Sequence, residues 1–422
     1  MKKASCTQGS LLDMPTPEKK ISAKPLPDMQ KRMSRLERLM EELCPNGVEY
    51  KKLEEVCEIR SGWGFPNSEQ GVTDEEIPFY KVSDMNNIGN DKIMNISNNY
   101  ISKDTAKKLG CNPAPKGTII FPKIGAAIGT NKKRILSMYS CYDNNIVGII
   151  PYKNIISRFL FYIFDCINLT IFTDFSGAMP SIRKSTLAKY KIPVPPLPVQ
   201  EEIVRILDTF SELTSELTSE LTKRKQQYQY YREKLFNFSN SIPKIPLKDL
   251  AINCDSKRKP VTKGNREAGK YPYYGASGIV DYVKDYIFDG DYLLISEDGA
   301  NLLARNTPIA FSITGKTWVN NHAHILQFSN ITLQKYVEIY LNSIDLTKYI
   351  STAAQPKLTQ DNLNKILIPK PSDEKINRIV SILDRFDALC NDLSSGLPAE
   401  IEARKKQYEY YRDKLLTFKE AK

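Results

Sequence analysis

A chain of 422 residues, 41% hydrophobic and 26% charged, has room for two or three domains with cores of their own. Sixty Lys and Arg against 49 Asp and Glu leave a formal charge of +11, which suits a polyanionic partner because each phosphate neutralised releases a counterion. No run of 18 apolar residues occurs, which excludes a membrane-spanning helix, and two histidines with eight scattered cysteines and no Cys-x-x-Cys argue against structural zinc.

Residues 1–32 are rich in Pro, Lys and Ser and read as a disordered tail. The basic start has no apolar stretch behind it, so no signal peptide is expected, and widely spaced thiols then fit a reducing cytoplasm. Residues 33–192 open on a short helix. They continue in short runs of Tyr, Ile, Asn and Gly between turn signals such as Asn46-Gly47 and Pro115-Lys116-Gly117. Thr118–Phe121 and Ile146–Ile150 read as strands and Ser157–Ile167 as a helix, which together describe an α+β domain.

Residues 193–240 change character. Ile203, Ile206, Phe210, Leu213, Leu217, Leu221, Tyr228, Tyr231, Leu235 and Phe238 recur at steps of mainly three and four, a coiled-coil seam whose one polar position is Arg224. Within it Ser-Glu-Leu-Thr is repeated perfectly at 211–214, 215–218 and 219–222. Each unit adds about 6 Å of rise and about 40° of net rotation to a helix, close to the step of one to two base pairs of B-DNA. Residues 241–368 return to the α+β pattern, with strands expected at Tyr292–Ile295 and His324–Phe328 and a helix at Leu333–Asn342. Residues 369–422 repeat the apolar stripe at Ile376, Ile379, Leu383, Phe386, Leu393, Leu397, Ile401, Tyr408, Tyr411, Leu415 and Phe418. Gly396-Leu397-Pro398 interrupts it, which predicts two shorter helices.

The chain is therefore written twice. Ile206-Leu207-Asp208-Thr209-Phe210 returns 176 positions later as Ile382-Leu383-Asp384-Arg385-Phe386, and residues 223–235 return 180 positions later as 403–415. Two long helical regions with matching stripes can satisfy one another. Packed as an antiparallel coiled coil they would act as a spacer between the variable domains, Leu213, Leu217, Leu221, Tyr228, Tyr231, Tyr408 and Tyr411 forming its seam.

Basic, amide and aromatic groups gather in the variable segments. Candidate nucleic-acid contacts in the first are Arg60, Trp63, Lys123, Lys132, Lys133, Arg134, Met179 and Arg183. In the second they are Lys257, Arg258, Lys259, Lys263, Arg266, Tyr273, Tyr274, Arg305, Gln355 and Lys357. Arg and Lys reach guanine edges and phosphates, Gln reads adenine, and aromatic rings pack on sugars or thymine methyls. The competing reading of any one cluster is a solvated surface.

Leu43-Cys44-Pro45-Asn46-Gly47-Val48-Glu49-Tyr50, Ile192-Pro193-Val194-Pro195-Pro196-Leu197-Pro198 and the two Tyr-x-Tyr-Tyr-Arg segments resemble the specificity subunit of type I restriction–modification enzymes. The resemblance implies two target recognition domains, each reading one half of a split double-stranded DNA sequence. It also implies conserved helices that form the antiparallel spacer and dock two modification subunits, and tandem tetrapeptides that tune the gap. S-adenosylmethionine, ATP and Mg are then expected on the modification and restriction subunits, with no cofactor, metal or catalytic residue on this chain. Ile124–Gly129 resembles the family's Gly-Ala-x-Ile-Gly loop, with Glu297–Asn301 as its counterpart. Ser176–Pro180 and Ser351–Pro356 resemble a loop near DNA, with Met179 where the second copy has Gln355.

Two other functions compete. A self-contained DNA methyltransferase would need an Asn/Asp-Pro-Pro-aromatic motif, and Val194-Pro195-Pro196-Leu197 lacks both its polar and its aromatic member. Ala310–Thr317 fits a relaxed phosphate-loop pattern, but strand-like residues follow where a helix should open. A coiled-coil interaction scaffold would not need two divergent, loop-rich domains at matched positions. His322-x-His324 reads as structural, with no third metal ligand beside it.

Overall fold

Ile119–Pro122 and most of Ile146–Pro151 are apolar on both faces, a pattern that belongs to strands covered from two sides. The computed structural model, which describes residues 27–351, 355–392 and 394–421, places them at the centre of a five-stranded sheet. Its order is Cys57–Ser61, Ile146–Pro151, Ile119–Pro122, Arg134–Leu136, Ile93–Met94, antiparallel except for the last pair. One face receives the helix Ser157–Cys166 through Phe159 and Phe164, packed with Ile119, Phe121 and Ile149. The other packs Tyr80, Met85, Met94 and Tyr142 against Ile120 and Ile146. A short ribbon, Tyr50–Lys52 with Lys191–Pro193, ties the two ends of this domain together.

The chain divides into two units, one running to Leu217 and resuming at Glu400, the other Thr218–Ala399. The second holds a four-stranded sheet in the order Ala251–Asn253, Ala323–Phe328, Tyr292–Ser296, Ala310–Ile313, covered by the helix Ile331–Ser343. A further four-stranded sheet joins Gly278–Val283, Ala268–Gly275, Lys316–Val319 and Phe288–Asp289. Its closing ribbon pairs Lys244, Ile245 and Pro246 with Pro369, Ile368 and Leu367, as Tyr50, Lys51 and Lys52 pair with Pro193, Ile192 and Lys191 in the first unit. The later strands of the two ribbons lie 176 positions apart, so the repeat holds at the level of register.

Leu197–Phe236 is one unbroken helix of 40 residues, about 60 Å long. The second helical region is two helices, Asp373–Asn391 and Leu397–Leu416. The break falls at Gly396, where an added Cβ would lie 2.6 Å from the Ala388 carbonyl oxygen, and Pro398 occupies the first turn of the next helix. Each unit holds half of the long helix and one distal helix. In the first, Phe210 stacks on Tyr411 with centroids 5.3 Å apart. In the second, Phe386 meets Tyr231 at 5.6 Å. Phe210 and Phe386 are 176 positions apart and Tyr231 and Tyr411 are 180, so one contact is made twice with the copies exchanged. Arg224 and Arg404 follow the same rule: Nε of each donates at 2.7 Å to Glu220 or Glu400, and Nη1 to Gln227 at 3.0 Å or Gln407 at 2.9 Å.

The expected tail overlaps this architecture. A helix spans Pro27–Leu43, so residues 27–32 are not tail, and residues 1–26 lie outside the described residues, as does the seam residue Leu393. Leu213, Leu217 and Leu221 are only half-buried and belong to no core cluster, whereas Ile203, Ile206 and Phe210 are buried. Phe238 lies beyond the helix end and packs on Phe236 at 6.2 Å.

Truncating a buried Phe costs about 3–5 kcal/mol, so Phe210→Ala and Phe386→Ala should each destabilise their own unit by that order. A Phe210→Ala/Tyr411→Ala cycle followed by urea unfolding should show about 1 kcal/mol of coupling. Strict additivity would contradict the stacked contact.

Candidate nucleic-acid interface

In the first unit the strand Ile119–Pro122 ends at Lys123, whose N–H donates to the Asn145 carbonyl and whose carbonyl accepts from the Ile182 N–H, both at 2.8 Å. Two residues on, the Gly125 N–H donates to Pro180 at 2.8 Å. Loop 123–130 is thereby laid beside loop 175–182. The second unit builds the same junction. Glu297 donates to His322 at 2.9 Å and accepts from Leu358 at 2.8 Å, and Gly299 donates to Pro356 at 3.3 Å. Gly125 and Gly299 have φ of +75° and +104°, which a side chain would oppose. The two loop pairs matched in the sequence are thus the two loop pairs brought together, although residues 352–354 of the second lie outside the described residues.

The backbone is common to both sites and the side chains differ. Lys123 stands where the other copy has Glu297, and Asn145 where it has His322. Burial holds the Lys123 ammonium below its usual range. Glu297 is buried, which works against its charge, yet Arg258 at 2.5 Å, neighbouring His324 and Lys357 at 3.1 Å hold its carboxyl below the ordinary value. His324 bridges the same region: Nδ1 meets Asp255 at 2.6 Å and Nε2 meets the Leu358 carbonyl at 2.7 Å. Burial opposes the charge of Asp255, but the His324 hydrogen bond and charge, with Arg258 near by, keep its carboxyl low. Ligand atoms of Asp255, Glu297 and His324 lie within 4.8 Å of one another. His324 thus has two carboxylates beside it that the sequence reading did not supply; both are paired with Arg258, and Glu297 also with Lys357, and the cluster ties the second loop pair to the strand behind it.

Several candidate contacts are committed to the fold. Lys133 is 4% exposed, and its ammonium donates at 2.6 Å to Ile167, the residue capping the helix Ser157–Cys166. Arg305 does the same at 2.8 Å for Ile344, which caps Ile331–Ser343. Both cations satisfy carbonyls at a helix C-terminus, where a positive charge is also favoured. Arg305 and Asn131, with φ of 53° and 54°, are the two non-glycine residues of positive φ among the described residues. Arg60 forks onto Glu58 at 2.7 and 2.9 Å, and Arg134 reaches the Met85 carbonyl at 3.1 Å. Arg258 is held by Glu297 and by the Ala323 carbonyl at 2.7 Å. Arg266 pairs with Asp281 at 3.1 Å and covers the buried Tyr273 ring. Trp63 packs on Tyr142 at 5.6 Å and Tyr274 on Phe311 at 6.1 Å.

The remaining candidates face solvent or sit at the loops. Met179, Lys257, Lys259, Lys263 and Gln355 are exposed, and Arg183 is exposed while bonded to Asp174. Lys357 is half-exposed beside Glu297, and Lys132 reaches Asn86. Two residues at the loops stand outside the candidate contacts offered by the sequence. Phe175 is 64% exposed beside Ser176-Gly177, and an aromatic entering a Ser-Gly loop was the signal for it. His322, read as structural, is half-exposed with Nδ1 2.9 Å from Asp298 at the second loop pair. Ala310–Thr317 forms no phosphate loop: a turn at Gly315 joins two strands and no helix opens.

A family model described as the type I restriction modification DNA specificity domain matches residues 45–225 and again 243–403. The chain belongs to this family. A putative type I specificity subunit of Mycoplasma pneumoniae is 34% identical over 248 residues, covering 55% of this chain and 98% of that protein. The EcoprrI specificity subunit of Escherichia coli is 29% identical over 391 residues, 86% of this chain and 92% of its own. Among solved structures, the S subunit from M. genitalium superposes with a TM-score of 0.54 at 16% identity, over 88% of this chain and 96% of that one. That likeness supports the fold of this specificity-family chain. No described helix is long and apolar enough to cross a membrane.

Two measurements test the site. A Cβ at Gly62 would lie 1.9 Å from the Asp143 carbonyl oxygen, a backbone atom that cannot step aside. Gly62→Ala should cost the first unit about 1–3 kcal/mol in denaturant unfolding and displace Trp63. Wild-type stability would refute the close approach. Burial lowers Lys133 to about 8. A lysine depressed in the folded state carries its penalty in full below that value and loses it as pH rises toward the unfolded pKa. The stability of wild type relative to Lys133→Met should therefore rise by about 1 kcal/mol between pH 7 and pH 9. A pH-independent difference would mean that the ammonium is not desolvated.

Proposed function

We propose that this chain is the sequence-reading subunit of a type I restriction–modification complex. It recognises a bipartite DNA target, one half-site per recognition domain, and directs methyltransferase and endonuclease subunits to that target. The observation that carries the reading is the junction built twice from the same backbone hydrogen bonds, Lys123–Asn145–Ile182 with Gly125–Pro180, and Glu297–His322–Leu358 with Gly299–Pro356, bearing different side chains. An invariant frame with divergent loops is what two readers of two unlike half-sites require.

Each reader would approach the major groove. Exposed Lys257, Lys259 and Lys263 in one domain and Arg183 in the other suit phosphates, while Gln355, Met179 and Phe175 suit base edges and thymine methyls. This chain would supply no catalytic residue and bind no cofactor. S-adenosylmethionine, ATP and Mg would act on two modification subunits and on restriction subunits, all in the cytoplasm. The helix Leu197–Phe236 would serve as a ruler, since its three Ser-Glu-Leu-Thr units are helical throughout and their leucines lie in no core cluster. Length can change there without unpacking either domain.

Methylome sequencing of a host carrying this chain with its modification subunit should show one split motif. Deleting Ser219–Thr222 removes about 6 Å and one turn of helix and should shorten the gap while both half-site sequences persist. An unaltered gap would defeat the ruler. Exchanging Gln355 for Ala should relax the half-site read by the second domain alone, and a change in both half-sites would defeat the one-domain, one-half-site assignment.

A further inference from the structure

Each unit builds one polar seat from matched residues, and the first fills its own. Asp208 and Asp384 correspond at the offset of 176, and Tyr408 with Tyr228 and Arg412 with Arg232 at 180. The helices Ser157–Cys166 and Ile331–Ser343 add Arg158 and Lys335, 177 positions apart, as are the capping residues Ile167 and Ile344. In the first unit Lys92 enters the seat. Its ammonium donates to Ser211 Oγ at 2.7 Å and lies 5.2 Å from the centre of the Tyr408 ring. Burial holds that ammonium below its usual range, against the pull of Asp165. Lys92 arrives at the head of the fifth strand of its sheet. Ile93 and Met94 pair in parallel with Ile135 and Leu136, and the Lys92 carbonyl accepts from the Ile135 N–H at 2.9 Å.

The second unit has the seat without the lysine. Among the described residues its sheet has four strands and ends at Ala310–Ile313, which holds the place of Arg134–Leu136. Beside Ala310 and Phe311 lies a cavity of about 340 Å³, lined by Tyr228 and by five charged side chains. Two cations, Arg232 and Lys335, face three carboxylates, Glu338, Asp384 and Asp387, so the cavity is one positive charge short. Lys335 is engaged with Glu338 at 3.4 Å. Asp208 in the first unit is held by Arg158 and the Tyr162 hydroxyl, whereas Asp384 has no hydrogen bond or ion pair among the described residues. Burial pushes its carboxyl up, and neighbouring Asp387 adds to that. Asp387 itself stands 176 positions after Ser211, so the oxygen that receives Lys92 has become a carboxylate.

We infer that this cavity takes a lysine side chain carried on an extended segment of another protein chain, seated as Lys92 is seated in the first unit. Charge selects the ammonium, because a half-buried carboxylate without a partner is costly and a cation relieves it. The ring of Tyr228 offers the cation the same face that Tyr408 offers Lys92. The end of the sheet selects a peptide as the carrier. In the first unit the lysine is delivered by a strand added to this edge, and strand addition is a general mode of peptide recognition. A free amine would neutralise the cavity and leave the edge as it is, so it is the poorer occupant.

The chain's own fifth strand supplies the probe, a fluorescein-labelled peptide with the sequence of residues 90–96, added to the full chain and followed by anisotropy. It should bind saturably, one peptide to each chain. Norleucine in place of the peptide's lysine removes the charge, and should weaken binding by roughly tenfold or more. Asp384→Asn in the protein should weaken it by a similar factor with an unchanged melting profile. Should that variant melt early, the norleucine peptide on the wild-type chain still decides. Equal binding of the two peptides, or binding of neither, would overturn the inference. n-Butylamine should displace the peptide only at roughly tenfold higher concentration or more. Equal potency would mean that the cavity takes a free amine, and the peptide carrier would be wrong. DNA enters none of these readouts, so the function proposed above stands or falls separately.

Discussion

The structure depends on a constraint of amphipathic helices: neither helical region can bury its apolar stripe alone. A helix of 40 residues with one apolar face must find another such face, or expose several aromatic and aliphatic side chains to water. Within each unit the solution is to close half of the long helix with a helix from the other copy. Phe210 on Tyr411 and Phe386 on Tyr231 are that solution in two instances. The sequence offset changes from 176 to 180 between the upstream and downstream halves of the match. Upstream residues pack under their own recognition domain, downstream ones under the other, and the extra residues fall where Gly396 and Pro398 interrupt the helix.

The domains and helices are largely legible in the sequence, because their signals are periodic and long. Expected strands at 118–121, 146–150, 292–295 and 324–328 fall within a residue of their observed bounds, and the helices at 157–167 and 333–342 within two. Periodicity failed in the middle of the long helix. Leu213, Leu217 and Leu221 keep the phase of the stripe, but phase says which way a residue points and not whether anything lies opposite. The helical start at Pro27 was missed because a run of Lys, Arg and Glu hides an amphipathic helix inside a polar composition.

The site was legible as loops and not as residues. Glycine and proline mark the loop pairs because Gly125 and Gly299 need positive φ and the Pro180 and Pro356 carbonyls accept their amides. Cations carry no such mark. Lys132 and Lys133 are neighbours of one residue type, yet the first reaches Asn86 at the surface and the second is sealed against a helix end. Backbone direction decides which of two adjacent side chains points inward, and a one-residue difference reverses it. Arg258 was equally unreadable: Asp255 lies only three residues before it, but Glu297 and the Ala323 carbonyl come to it from other parts of the chain.

The division between restrained and unrestrained residues has a functional consequence. A recognition surface that must change its DNA specificity without losing its fold should carry its reading groups on side chains that support nothing. The cations at Lys133, Arg258 and Arg305 each hold a backbone carbonyl or a buried carboxylate, so altering them would cost the frame. Met179, Lys257, Lys259, Lys263 and Gln355 are exposed, and no side-chain hydrogen bond or ion pair in the described structure ties them to the frame. The two junctions carry this separation furthest. Their ladder runs between backbone atoms alone, so Lys123 can stand where Glu297 does, and Asn145 where His322 does, with the same junction hydrogen bonds made. Backbone hydrogen bonds are indifferent to side-chain identity, and that indifference lets one architecture present two unlike surfaces to DNA.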